Sequence, residues 1–266
     1  MKTDLKSYIK IYFMLITQDF KSKMQYRADF LISLAAMLAT NFTGLISFWL
    51  IFRTIPAIKG FSYNEILFIY GFSLLASVPM QLFFDNLWQL GDYCMNGNFL
   101  RYCFKPVNIF FYYVSETFDA KGLGQLAFGL IMFIYAWIRT GIPVTAGNIA
   151  VLLLMMFGAS MSLIGLMIMS SAFSFVSLYG NSMMSFMIRF RDYSRYPVSI
   201  FNPVFKFLFT FIIPMGFLAF YPSLYFLRPG DHNLMSLLTP IAGIIIFYLG
   251  YKLWIWLAVR YAGTGT

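Results

Sequence analysis

The stretch Ile149–Met169, IAVLLLMMFGASMSLIGLMIM, holds 21 residues without one charged side chain. A helix of about 20 residues matches the ~30 Å hydrocarbon core of a bilayer. Surface helices of soluble domains keep a polar face, and this stretch has none. Outward from it, comparable runs recur at Phe30–Phe52, Ile66–Phe84, Gly122–Ile138 and Leu234–Leu257. A sixth run, Pro203–Phe220, contains Pro214 and is followed by Pro222, so its helix is expected to stop short. The prolines predict a re-entrant segment that turns back before Arg228. The expected fold is an all-α integral membrane protein with six transmembrane helices.

Composition points the same way. Hydrophobic residues make up 60% of the chain and charged residues 11%, with a mean hydropathy of +0.74. Soluble domains carry about 25% charge. No polar block within residues 1–266 is large enough to fold alone, so a single membrane domain is expected. The net charge of +9 does not read as a nucleic-acid interface, because the basic residues form short clusters between apolar runs. With the N-terminus in the cytoplasm, fifteen Lys and Arg fall inside, leaving only Arg53, Lys59, Arg139 and Arg228 outside. That asymmetry predicts cytoplasmic termini and an even number of spans. The apolar stretch Ile11–Thr17 is short and lacks a cleavage site, so the N-terminus is not expected to be removed. Cys94 and Cys103 are too few for a disulfide framework and read as free cytoplasmic thiols.

Three segments suit the membrane surface. In residues 1–27, Leu5, Ile9, Tyr12, Phe13, Ile16 and Phe20 recur at helical spacing, while Lys6, Lys10, Thr17 and Lys21 fall toward another side. This pattern describes a helix lying in the interface. Residues 85–121 carry the phrase Met95-Asn96-Gly97-Asn98-Phe99-Leu100-Arg101-Tyr102-Cys103-Phe104-Lys105-Pro106. Asn96-Gly97 signals a turn and Pro106 restricts Lys105. From Ile109 onward, aromatic residues mix with Glu116 and Asp119, as in a helix entering the membrane from its surface. In Met187–Asn202, basic and aromatic residues alternate, which suits the cytoplasmic headgroup region.

Function classes can be weighed from the same residues. No G-x-x-x-x-G-K-[ST] loop is present, so the chain is not expected to hydrolyse ATP or bind a cofactor of its own. The histidine, His232, lies in a loop beside Asp231, with no H-E-x-x-H or G-x-S-x-G arrangement, so neither a catalytic residue nor a metal site is assigned. An ion-coupled secondary transporter normally needs ionisable groups near the midplane, and the span centres hold no carboxylate. Polar residues within spans, Asn41, Thr43 and Gln81, are candidates to line a substrate path. Gly158 and Ser162 have small-xxx-small spacing, and Gly122, Gly124 and Gly129 crowd the third span, as close packing requires.

The layout resembles the membrane permease of type 2 ABC exporters, in particular the bacterial branch. The resemblance covers the whole chain. It is carried by the Gly97–Pro106 phrase, the Tyr196-Pro197 pair and the Gly-rich end Tyr261-Ala262-Gly263-Thr264-Gly265-Thr266. It implies an interfacial N-terminal helix, a coupling helix in the first cytoplasmic loop, a re-entrant element before the last span, and a place in a bacterial cell membrane. By this resemblance Gly97, Asn98, Phe99, Leu100, Arg101, Phe104, Lys105 and Pro106 would meet a separate ATPase subunit that binds ATP and Mg. The acidic residue usual after the glycine is replaced by Asn98 and Phe99. A second permease copy or a sister permease would complete the exporter. The alternatives are an ion-coupled carrier and a non-transporting membrane anchor. With 21% aromatic residues and 17 methionines, the interior could tolerate an amphiphilic or apolar cargo such as a lipid, peptide or drug, but the same residues face lipid in any membrane protein and single out no substrate.

Overall fold

The computed structural model describes residues 5–25, 27–177, 180–230 and 234–261, and its regular elements there are all helices. Helix α1 (Leu5–Gln25) leads into α2 (Arg27–Thr54) and α3 (Tyr63–Phe83). Short helices follow: α4 (Leu90–Met95), α5 (Leu100–Cys103) and α6 (Ile109–Ser115). Helices α7 (Lys121–Thr140) and α8 (Ala146–Ala172), joined by a short loop, each pack against α3. Then α9 (Gly180–Tyr193), α10 (Pro203–Phe207) and α11 (Phe220–Leu227) precede α12 (Leu234–Arg260). Among the described residues five helices, α2, α3, α7, α8 and α12, are long and apolar enough to cross a bilayer. They match five of the six expected runs.

Helix α3 is the centre of the bundle, buried almost from end to end. Its start is fixed by a reciprocal cap: Ser62 N–H donates to Glu65 at 2.7 Å and Glu65 N–H donates to the Ser62 hydroxyl. Antiparallel α7 lies close because Gly122 faces Leu82 and Gly129 faces Leu75, with Gly71 of α3 against the Phe133 backbone. Gly124 instead faces Leu34 and Met37 of α2. Helix α7 ends at Gly141 with φ +70°, and the Thr145 side chain then caps α8. Helices α8 and α12 run parallel, with Gly158 opposite Gly243 and Gly165 opposite Gly250. A Cβ at any of these four would meet the partner's backbone. Helix α2 is peripheral, with Leu31, Ile32, Trp49 and Leu50 exposed.

Both ends of the described chain lie on one end of the bundle, the basal end. There Tyr8 of α1 packs on Phe111 of α6, and Trp254 of α12 packs on Phe110. Helix α1 exposes Ile9, Phe13, Met14 and Phe20, while Tyr8 and Tyr12 turn toward Phe111. Residues 1–4 lie outside the described residues.

The segment before α12 is broken, as its prolines predict. The run from Pro203 is broken: α10 continues as one wide turn, Leu208–Ile212, and ends at Ile213-Pro214. A second helix, α11, carries the chain to Arg228, which pairs with Glu65 and donates to Gly60 O at 3.0 Å. A correction concerns Met187–Asn202, expected at the cytoplasmic surface. Helix α9 starts at the basal end, where Asn181 donates to Asp92 at 3.0 Å, and climbs along α8. At its top the Ser194 hydroxyl is 2.8 Å from that of Ser73, at the middle of α3. Charge alone suggested a surface segment. The guanidinium groups are instead accommodated inside by Asp192, the Tyr70 ring and a cavity. Without Arg191 and Arg195 the basic asymmetry is thirteen to four, and its direction is unchanged.

Candidate functional site

Two features stand out: the basal segment 85–121 and a cavity halfway along the bundle. In the basal segment, Asn86 and Tyr113 exchange hydrogen bonds through Asn86 Nδ2 to Tyr113 O at 2.6 Å and the Tyr113 hydroxyl to Asn86 O. Asn108 caps α6 through Phe111 N–H at 3.0 Å and donates to the Tyr251 hydroxyl at 2.9 Å. These bonds fix α6 to α12. Gly97 takes φ +69°, a left-handed turn that a side chain would strain. That turn folds Phe99 N–H back to Tyr93 O at 3.1 Å.

The turn separates the predicted coupling residues into two sets. Phe99 points inward, 0% exposed, with ring centroids 4.8 Å from Phe175, 5.7 Å from Tyr261 and 5.8 Å from Trp254. Asn98, Leu100, Arg101, Phe104, Lys105 and Pro106 face outward, and Phe104 is 82% exposed. Arg101 is held by Glu116 at 2.8 Å, and the Tyr102 hydroxyl donates to the same carboxylate. Burial, and then the Glu116 carboxylate, push the Tyr102 phenol well up. Burial pushes the Cys94 thiol up to about 12, while Cys103 is exposed. The Tyr261 hydroxyl donates to Cys94 O at 2.6 Å. Sequence reading missed Phe175, Trp254 and Tyr261 as the receptacle for Phe99, since they come from chain ends far apart in sequence. Residues 262–266 of the Gly-rich end, and His232 with Asp231, lie outside the described residues.

The cavity, about 260 Å³, is lined from α2 by Met37, Thr40 and Asn41 and from α3 by Met80 and Gln81. Gln125, Met167, Ile188, Arg191 and Arg195 close the other sides, with Asp85 and Trp88 at the basal end. Two of the three predicted path residues, Asn41 and Gln81, therefore meet at one site. Thr43 does not line it; its hydroxyl donates to Ala39 O at 2.8 Å within α2. Arg195 sits 5.2 Å from the Tyr70 ring centroid and donates to Asp192 at 2.8 Å. Arg191 approaches the same Asp192 oxygen at 3.6 Å. Burial, with Asp119 as the next cause, raises the Asp85 carboxyl above its usual range.

A family model described as ABC-2 family transporter protein matches residues 38–265, from the middle of α2 to the chain's end. No curated protein and no solved structure matches the chain.

Proposed function

The chain belongs to the ABC-2 family of transporter proteins, a multi-pass membrane protein in which we propose the permease subunit of an ATP-driven exporter. ATP and Mg²⁺ belong to a separate ATPase subunit, and the basal end faces the cytoplasm. The observation that carries this reading is the division at Gly97. One side of the turn presents exposed Leu100, Phe104 and Lys105; the other plugs Phe99 between the ends of α8 and α12. A subunit pulling on the exposed side would move the helix ends through that plug.

In this reading α1 lies in the cytoplasmic interface, and α9 begins a sixth crossing that the broken α10–α11 segment completes as a re-entrant element. A second permease, identical or related, completes the exporter, whose amphiphilic cargo leaves the cytoplasm. One observation favours an ion-coupled carrier: Asp192 is a carboxylate near the middle of α3. Arg195 and Arg191 both approach its Oδ1, so it is engaged as a counter-ion rather than poised for a transported cation.

The test is to purify the chain in mild detergent from its native cell and identify what accompanies it by mass spectrometry. A stoichiometric ATPase with a phosphate-binding loop is expected, and Phe104→Ala with Lys105→Ala is expected to reduce its recovery about tenfold. A chain that emerges alone and moves solute down an ion gradient would replace the pump by the carrier.

A further inference from the structure

Arginine inside a membrane-spanning bundle is costly and is retained only where it has partners or work. The top of α9 brings two guanidinium groups beside the middle of α3 with one carboxylate, Asp192, between them. Asp85 lies at the basal end of the same cavity, with Asp119, Lys121, Lys23 and Asp19 among its charged neighbours. Around Arg191 the charged neighbours are Asp192 and Arg195. The site at the top of α9 therefore keeps one positive charge in excess and most of its N–H donors unspent.

A second observation points to a ligand with acceptor oxygens. Asn41 is 5% exposed, lines the cavity, and its Nδ2 has no hydrogen-bond partner. A buried amide without a partner normally costs free energy, so one left bare at a cavity wall implies a bond completed by something that enters. The remaining wall mixes hydrogen-bonding Thr40, Gln81 and Gln125 with the adaptable apolar side chains of Met37, Met80, Met167 and Ile188. At about 260 Å³ the space falls below the ~300 Å³ of a drug-sized pocket, which suits a headgroup and not a whole amphiphile. Helix α2 leans on α7 and α3, whereas α9 leans on α8, and the two barely touch each other. Thr40 and Asn41 of α2 thus face Ile188 and Arg191 of α9 across the cavity rather than in close helix contact.

We propose that this cavity receives the anionic, phosphate-bearing headgroup of a membrane amphiphile, with Arg191 and Arg195 on the phosphate and the Asn41 amide donating to it. The tails remain in lipid, outside the bundle. This deepens the exporter reading, on which the role of the headgroup as cargo rests; the binding itself needs no ATPase. Two guanidinium forks match the anionic oxygens of a phosphodiester and would leave most of their donors unused on a neutral headgroup.

Native mass spectrometry of the full chain in detergent, titrated with phosphatidylglycerol, phosphatidylcholine or inorganic phosphate, tests it. Phosphatidylglycerol is expected to be retained at least about tenfold more tightly than phosphatidylcholine, as charge-assisted bonds to phosphate allow when no choline cation offsets them. Arg191→Gln with Arg195→Gln is expected to abolish that preference, while Arg189→Gln, an exposed arginine on the same helix, leaves it intact. Should the double variant fail to fold, Asn41→Leu alone is expected to weaken phosphatidylglycerol binding severalfold. Equal retention of both lipids by the unaltered chain, or loss of preference in Arg189→Gln, would overturn the proposal. Displacement of phosphatidylglycerol by millimolar inorganic phosphate would overturn the lipid source and make the ligand a soluble phosphate. An ATPase that co-purifies with a chain blind to phosphatidylglycerol refutes the cavity and spares the exporter. Lipid preference without an ATPase does the reverse.

Discussion

Helices α8 and α12 meet backbone to backbone, whereas α2 and α9, in the same bundle, barely touch. Apolarity does not distinguish the pairs, since within lipid a tail and a leucine are equally good company. Close packing decides which helices lock. Gly158 and Gly165 oppose Gly243 and Gly250 at matching seven-residue steps, so the first pair forms a continuous seam. The second pair offers Thr40 and Asn41 against Ile188, Arg191 and Arg195, with a cavity between. The bundle thus has a locked half, keyed to the basal segment through Phe175 and Trp254, and a wall able to part.

The seam is the place to break that contrast. Gly165→Leu drives a side chain into the Ile246–Phe247 backbone, which has no rotamer escape. A loss of ~3 kcal/mol or more is expected, read as a collapse of the thermal unfolding midpoint and of monodisperse protein in detergent. On the other half, Leu50→Ala on exposed α2 is expected to stay within about 0.5 kcal/mol. Equal losses at the two positions would erase the distinction.

The plug comes next. Phe99→Leu keeps an apolar side chain but leaves the box of Phe175, Trp254 and Tyr261 underfilled, and should cost about 2 kcal/mol in the same unfolding measurement. Phe104→Ala, five residues on and 82% exposed, should change unfolding by less than about 0.5 kcal/mol. If Phe104→Ala destabilised the isolated chain as much as Phe99→Leu, the turn at Gly97 would not divide an inner from an outer face. A smaller effect is expected where the broken segment is tied to the locked half. Glu65→Gln removes the charge facing Arg228 while keeping most of the cap on α3, a loss of about 1 kcal/mol for a partly exposed pair.

Long apolar runs were legible because a bilayer demands them, and α2, α3, α7, α8 and α12 appear where hydropathy puts them. The break at Pro214 was legible from proline chemistry. Helix α9 was not, because an arginine reads as surface until its partners are known, and Tyr70, Ser73 and Asp192 become its neighbours only in three dimensions. A signal existed in the recurrence of Met183, Met184, Met187 and Ile188 along one stretch. The seam was half legible: Gly158 was noted for its spacing, yet its partner Gly243 lies 85 positions away, beyond any local pattern. Asn41 and Gln81 came together and Thr43 did not, since residues 41 and 43 point to different sides of α2.

The two thiols give the mildest probe, one that leaves the fold untouched. Cys94 lies on the locked side, buried behind the Tyr261 hydroxyl that bonds its carbonyl, while Cys103 lies on the outward side of the turn. A thiol reacts as thiolate, and with its pKa pushed to about 12, Cys94 at pH 7 is ionised in only about one molecule in a hundred thousand. Burial also raises Cys103, so its labelling should accelerate as pH climbs from 7 to 9, because deprotonation is then the limiting supply. A membrane-impermeant maleimide should therefore label one site per folded chain, at Cys103, and a second only after unfolding. In sealed vesicles the label should enter only when the cytoplasmic face is outermost. Rapid labelling of Cys94 in the folded chain would mean that the plug leaves its box spontaneously, so that the half described as locked is the one that opens. Labelling of Cys103 from the other face would invert the bundle and put the proposed ATPase surface out of reach of ATP.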